Sequence, residues 1–169
     1  ALEQAGLNTL AVHLFILYWG MVSYITPPVA LGAFAAATLA GAKPLATGFE
    51  AMRLGGTIYI VPFFFVLNPA LVAEAPALEV LFVFVTAVIG VALLSMALQG
   101  HTGIFGALGK GVVSIINRTT LFIAGLFFAM PASEFIGLGH WELSGIGLIL
   151  SAPVLFLSLK QRNAMLTQK

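Results

Sequence analysis

Ser23, Tyr24, Thr26, Pro27 and Pro28 lie near the middle of an apolar run, His13 to Gly41, with the sequence HLFILYWGMVSYITPPVALGAFAAATLAG. Hydroxyls and prolines placed there can handle ions without any acid or base. Proline has no N–H, so Pro27 and Pro28 deprive the carbonyls of Ser23 and Tyr24, four residues back, of their helical partners. Thr26, which precedes a proline, is pushed out of the α region. Two half-helices are expected to meet here. The first ends in orphan carbonyls on Val22 to Ile25. The second begins with proline at its favoured first positions, and Thr26 is placed to cap it. The carbonyl end attracts cations and the amide end attracts anions. In lipid, freed backbone groups persist only where protein or a water-filled cavity covers them, and broken helices at that depth are where secondary transporters hold substrate and coupling ions. A plain proline kink packed between neighbouring helices is the alternative.

The elements that must position this break are set by composition. The chain is 60% hydrophobic and 8% charged, against about 25% charged in globular domains, which makes it an integral membrane protein. A net charge of +1 without a basic cluster gives no footprint for nucleic acid. The absence of cysteine excludes disulfides, thiolate metal sites and a cysteine nucleophile. His13, His101 and His140 lack neighbours at metal-ligand spacing, and no nucleophile elbow or H-E-x-x-H is present, so an enzyme is not expected. The Gly109-Lys110-Gly111 triplet is not a phosphate loop, because Ile104 stands where the first glycine is needed and Gly111 where Ser or Thr is needed. The chain starts at Ala1 with no signal-peptide pattern and is expected to be a piece of a longer polypeptide.

Taken in order, Leu7 to Ala40 would be roughly 50 Å long as one helix, well beyond the ~30 Å hydrocarbon layer, so a broken or re-entrant span is expected over 7–40. Residues 42–54, with Lys43, Glu50 and Arg53, have the pattern of a helix lying along the membrane surface. Residues 55–73 form the next span, with a kink expected at Pro62 and Asn68 at its far end. These make up a transport-core segment, 1–73. Residues 74–169 are a C-terminal extension with spans at 80–98, 119–137 and 143–159 and a basic tail. The third span has two registers, Val112 to Met130 or Thr119 to Gly137; the second is preferred, because a central arginine costs about 2.5 to 3.5 kcal/mol on insertion scales and this register leaves Arg118 at the interface. Lys and Arg fall in alternate connections and in the tail, whereas the turns with Glu74, Glu79, Glu134 and Glu142 carry none. The positive-inside rule then places the C-terminus in the cytoplasm. The fold class expected is all-α, a polytopic transmembrane helical bundle with one discontinuous helix.

The run from His13 through Ala70, with TPPVALGAFAAA at its centre and VPFFFVLNPAL at its end, resembles the last part of the large permease component of tripartite ATP-independent periplasmic (TRAP) transporters, most of all the fused TAXI-type permeases. Tyr24 stands where such permeases often carry an acidic or small polar residue. The resemblance implies a membrane permease that takes a small organic anion, usually a carboxylate, from a periplasmic solute-binding protein and imports it on an ion gradient without ATP. It implies no cofactor beyond a coupling ion, Na+ or H+. It also implies the bacterial inner membrane as location, and as partners the rest of the permease, its small membrane component and the lipid bilayer. On this basis Gly20, Ser23, Tyr24 and Thr26 are the expected cation-binding residues, and Thr26, Pro27, Pro28 and Val29 the expected substrate-binding residues. A non-transporting membrane scaffold is the rival function.

Overall fold

A computed structural model describes residues 6–102, 104–109, 111–130 and 137–166. Lys110 of the Gly-Lys-Gly triplet, Glu134 and the last residues of the basic tail, 167–169, lie outside the described residues. The chain divides into two compact units, Ala1–Pro76 and Ala77–Lys169.

In the first unit the apolar run forms two helices, α1 (Thr9–Val22) and α2 (Leu31–Ala40). Asn8 starts α1 by accepting the Ala11 N–H at 3.0 Å on its side-chain oxygen. With 14 and 10 residues the two helices extend roughly 21 and 15 Å, so neither alone crosses a hydrocarbon layer of about 30 Å. Gly41 ends α2 in a left-handed conformation (φ 63°) that glycine adopts without penalty. Helix α3 (Pro44–Leu54) opens on proline at a first-turn position and carries the Glu50–Arg53 ion pair on its exposed face.

The segment expected as one kinked span, 55–73, is instead three short pieces: a 3-10 turn (Gly56–Tyr59), α4 (Val61–Leu67) and a second 3-10 turn (Pro69–Val72). No kink forms at Pro62. The chain has already broken at Gly55 and Ile60, so Pro62 falls in the first turn of α4, where its missing N–H has no intrahelical bond to lose. Asn68 is buried and its side chain caps the second turn, accepting the Ala70 N–H at 3.2 Å. Helix α3 and the stretch Gly56–Leu67 bend by 68° at their junction and together are long and apolar enough for one broken span. Aromatic side chains join α1 to α4, with Phe15 and Trp19 edge-on to Phe63 at 5.2 and 6.1 Å and Tyr18 edge-on to Phe65 at 5.9 Å.

The second unit is a three-helix hairpin of α5 (Ala77–Gln99), α6 (Gly111–Ala129) and α7 (His140–Leu166), each long and apolar enough to cross a membrane. A short antiparallel ribbon, β1 (His101–Thr102) and β2 (Gly106–Ala107), lies between α5 and α6. Buried Leu93, Ala97, Leu108, Leu121, Ala124, Phe128 and Val154 form the core. Glycine lets α5 and α6 touch backbone to backbone: a Cβ on Gly90 would sit 2.7 Å from the Gly125 carbonyl, and one on Gly125 2.8 Å from the Gly90 carbonyl. Gly147 of α7 admits the Phe128 ring in the same way, at 2.8 Å.

Helix α6 starts eight residues earlier than the 119–137 register, so Arg118 lies well inside it. The insertion cost that argued against this register is offset locally. Arg118 Nε donates to the Ala97 carbonyl and Nη2 to the Leu98 carbonyl, both at 2.7 Å. Those carbonyls belong to the last turn of α5, where intrahelical donors run out.

The helix break as a candidate ion and substrate site

Ser23 to Val29 connect α1 to α2, and their backbone bonds show how the chain absorbs two adjacent prolines. The Pro27–Pro28 peptide is cis. Ser23, Tyr24 and Ile25 N–H groups turn back onto the carbonyls of Gly20, Met21 and Val22 at 3.3, 3.0 and 3.1 Å, tightening the end of α1. The Tyr24 carbonyl is not orphaned. It accepts the N–H groups of Gly32 (3.0 Å) and Ala33 (3.3 Å), so a carbonyl leaving the first helix caps the first turn of the second. Ser23 and Ile25 carbonyls receive no hydrogen bond from the described residues. Of the two carbonyls that the prolines are expected to free, that of Ser23 fits and that of Tyr24 does not.

Thr26 does not cap α2. The residue before α2 is Ala30, buried and left-handed (φ 36°), with no side-chain cap. The Thr26 hydroxyl instead turns toward α1, 2.7 Å from the Val22 carbonyl, and lies 2.7 Å from the phenol oxygen of Tyr59. A carbonyl can only accept, so with Thr26 donating to Val22 the phenol proton must point at Thr26. That leaves lone pairs on Tyr59 and Thr26 as acceptors beside the break.

The expected cation-binding residues divide in two. Thr26 and Ser23 supply oxygens at the break, but the Ser23 hydroxyl donates to the Gly20 carbonyl at 2.6 Å and that carbonyl also takes the Ser23 N–H. Gly20 and Tyr24 therefore each have a carbonyl already holding two donors. Among the expected substrate-binding residues, Thr26 and Pro27 are half-buried, whereas Pro28 and Val29 are exposed.

Tyr59, Gly48 and Gly55 complete the site and were not singled out in the sequence. A Cβ on Gly48 would lie 2.8 Å from Cγ of Pro27 and 3.3 Å from the Phe34 ring, so α3 packs directly on the break. A Cβ on Gly55 would lie 2.9 Å from Cδ1 of Ile25. The signal available for Tyr59 is a hydroxyl-bearing pair, Thr57 and Tyr59, directly after Gly55-Gly56 in an apolar stretch. A breakable backbone with polar side chains is the same pattern that marks Thr26.

The break, the short helices around it and the three long apolar helices define a helical membrane protein with a discontinuous segment. Residues 1–80 match the family described as Tripartite ATP-independent periplasmic transporter, DctM component, which is the large permease component of TRAP transporters. The match contains the whole first unit, including Thr26-Pro27-Pro28 and Tyr59, and ends just inside α5. No curated protein and no solved structure matches the chain.

Proposed function

We propose that the chain contributes one half-site of a binding-protein-dependent secondary transporter importing a small organic anion, a carboxylate, on a cation gradient and without ATP. The observation that carries this is the break itself: Ser23 and Ile25 carbonyls that accept no hydrogen bond among the described residues, beside the Thr26 and Tyr59 hydroxyls, inside the region that matches the permease family. Uncharged oxygen atoms suit a hard monovalent cation, which favours Na+ over H+ as the coupling ion. The exposed Pro28–Val29 edge and the amide end of α2 face the substrate carboxylate. The second unit serves as a membrane support, since its helix α7 buries small hydroxyls that bond their own backbone, as Ser151 and Ser158 do. Inner-membrane location, a cytoplasmic C-terminus, the solute-binding protein and the small membrane component follow from the same reading, as does a surface position for α3.

The test is uptake by the complete transporter carrying Thr26→Val. The variant removes one hydroxyl at nearly constant volume. Uptake is expected to fall roughly tenfold, the equivalent of ~1.4 kcal/mol of lost cation affinity, with a raised requirement for the driving ion and unchanged amounts in the membrane. Unaltered uptake with unaltered ion dependence would remove the assignment.

A further inference from the structure

We infer that the cleft beside Arg118 binds the phosphate of an anionic phospholipid, with one acyl chain laid along α6. The guanidinium is fixed in place, because its Nε and Nη2 hold the Ala97 and Leu98 carbonyls and Gly100 (φ +71°) leaves room beneath it, its Cβ position lying 3.4 to 3.5 Å from Arg118 Cδ, Cζ and Nε. Carbonyl oxygens orient the group without neutralising it. Among the described residues no carboxylate pairs with Arg118, and its Nη1 has no partner. A fixed cation with donors to spare suits a phosphate, which accepts planar, two-pronged hydrogen bonding from arginine.

The surroundings choose the kind of phosphate. Arg118 and Thr119 form the polar end of an open cleft of about 320 Å3 whose remaining walls are Ala97, Ile115 and Phe122. Ile115 and, beyond the cleft on the same helix, Val112 and Ile116 are mostly exposed, at 65%, 71% and 59%. A soluble anion would satisfy the arginine and leave that apolar wall bare; a lipid satisfies both. The charge layout of the second unit selects anionic over zwitterionic lipid. Arg162 reaches the Ile104 carbonyl in the loop that follows α5, so Arg118, Lys160 and Arg162 gather at one end of the hairpin. Glu79 and Glu142 lie in the first turns of α5 and α7, at the other end. A helix end with basic residues and no described acid attracts the anionic leaflet.

The experiment is a lipid titration of the full chain in zwitterionic micelles, following retained lipid by native mass spectrometry and helicity by circular dichroism. The probes are phosphatidylglycerol, phosphatidylcholine and inorganic phosphate. The unaltered chain is expected to retain phosphatidylglycerol roughly fivefold over phosphatidylcholine. Arg118→Gln, which keeps amide donors for the α5 carbonyls, should remove that preference, and Lys160→Gln, outside the cleft, should keep most of it. Ile115→Glu leaves the arginine clamp untouched while placing a carboxylate in the cleft, and it decides the matter if Arg118→Gln loses helicity. Preference retained in a helical Arg118→Gln, or in Ile115→Glu, overturns the proposal. So does displacement of phosphatidylglycerol by inorganic phosphate at equal concentration, which would make the ligand a soluble anion.

Discussion

The Thr26 hydroxyl and the Tyr59 phenol, 33 positions apart in sequence, share a 2.7 Å hydrogen bond that ties the Thr-Pro-Pro break to the 3-10 turn after α3. The bond links two segments of irregular backbone. Tyr59→Phe removes its donor while keeping the ring against Trp19. The expected loss is about 1 kcal/mol in unfolding free energy, measured by thermal melts in detergent. Because Thr26 and Tyr59 act on one hydrogen bond, the double variant Thr26→Val with Tyr59→Phe should lose clearly less than the sum of the two single changes.

Gly48 has no room to grow. In Gly48→Ala the new methyl would start 2.8 Å from the Pro27 ring, and a proline ring yields less than a flexible chain. Destabilisation of about 1 to 3 kcal/mol is expected, with altered ion dependence of uptake because α3 is pushed off the break. Gly55→Ala meets the side-chain ends of Ile25 and Ile58, at 2.9 and 3.4 Å, which can turn aside, and the Ala51 carbonyl at 3.0 Å. A smaller loss is expected there, and melts of the two variants side by side rank them.

The Gly90–Gly125 crossing predicts a reciprocal pattern in the second unit. Either alanine substitution drives a methyl into the opposing carbonyl, so each should lower stability by about 2 to 3 kcal/mol. One displacement of α6 from α5 relieves both clashes, so the double substitution should cost little more than one alone. Additive losses in unfolding would mean the helices do not meet at these glycines.

Thr86 is buried on α5, and its hydroxyl lies 2.9 Å from Nε2 of His140, whose Nδ1 faces the Met130 carbonyl at 2.9 Å. Facing an acceptor, Nδ1 carries the proton in the neutral ring, which leaves Nε2 to accept from Thr86. Thr86→Val strands that nitrogen and should cost about 1 to 2 kcal/mol. Thr86→Ser keeps the donor and should restore most of the loss in the same melt.

What the sequence showed and what it hid differ in range. The break at Thr26-Pro27-Pro28 was legible because proline acts on its own turn, and α5 was legible because an unbroken apolar run has one outcome in lipid. The direction of the Thr26 hydroxyl was not, since capping logic is local and Tyr59 is not. Nor was the register of α6: the penalty for a central arginine holds for an isolated helix, whereas the α5 carbonyls that receive Arg118 come from another helix. The 55–73 stretch failed for a third reason. Its hydrophobicity fits one span, but Gly55-Gly56 and the prolines at 62 and 69 divide the backbone into turns that composition does not count.

The Tyr24 carbonyl sits on the amides of Gly32 and Ala33, which are the same amides an incoming carboxylate would seek. Arrival of an anion there would be an exchange of ligands, one oxygen leaving as another enters. On the proposed function, the freed Tyr24 oxygen would then join those of Ser23 and Ile25, adding an acceptor to the cation side as the anion is captured. Two opposite charges would thus be admitted as a pair, each making the place of the other.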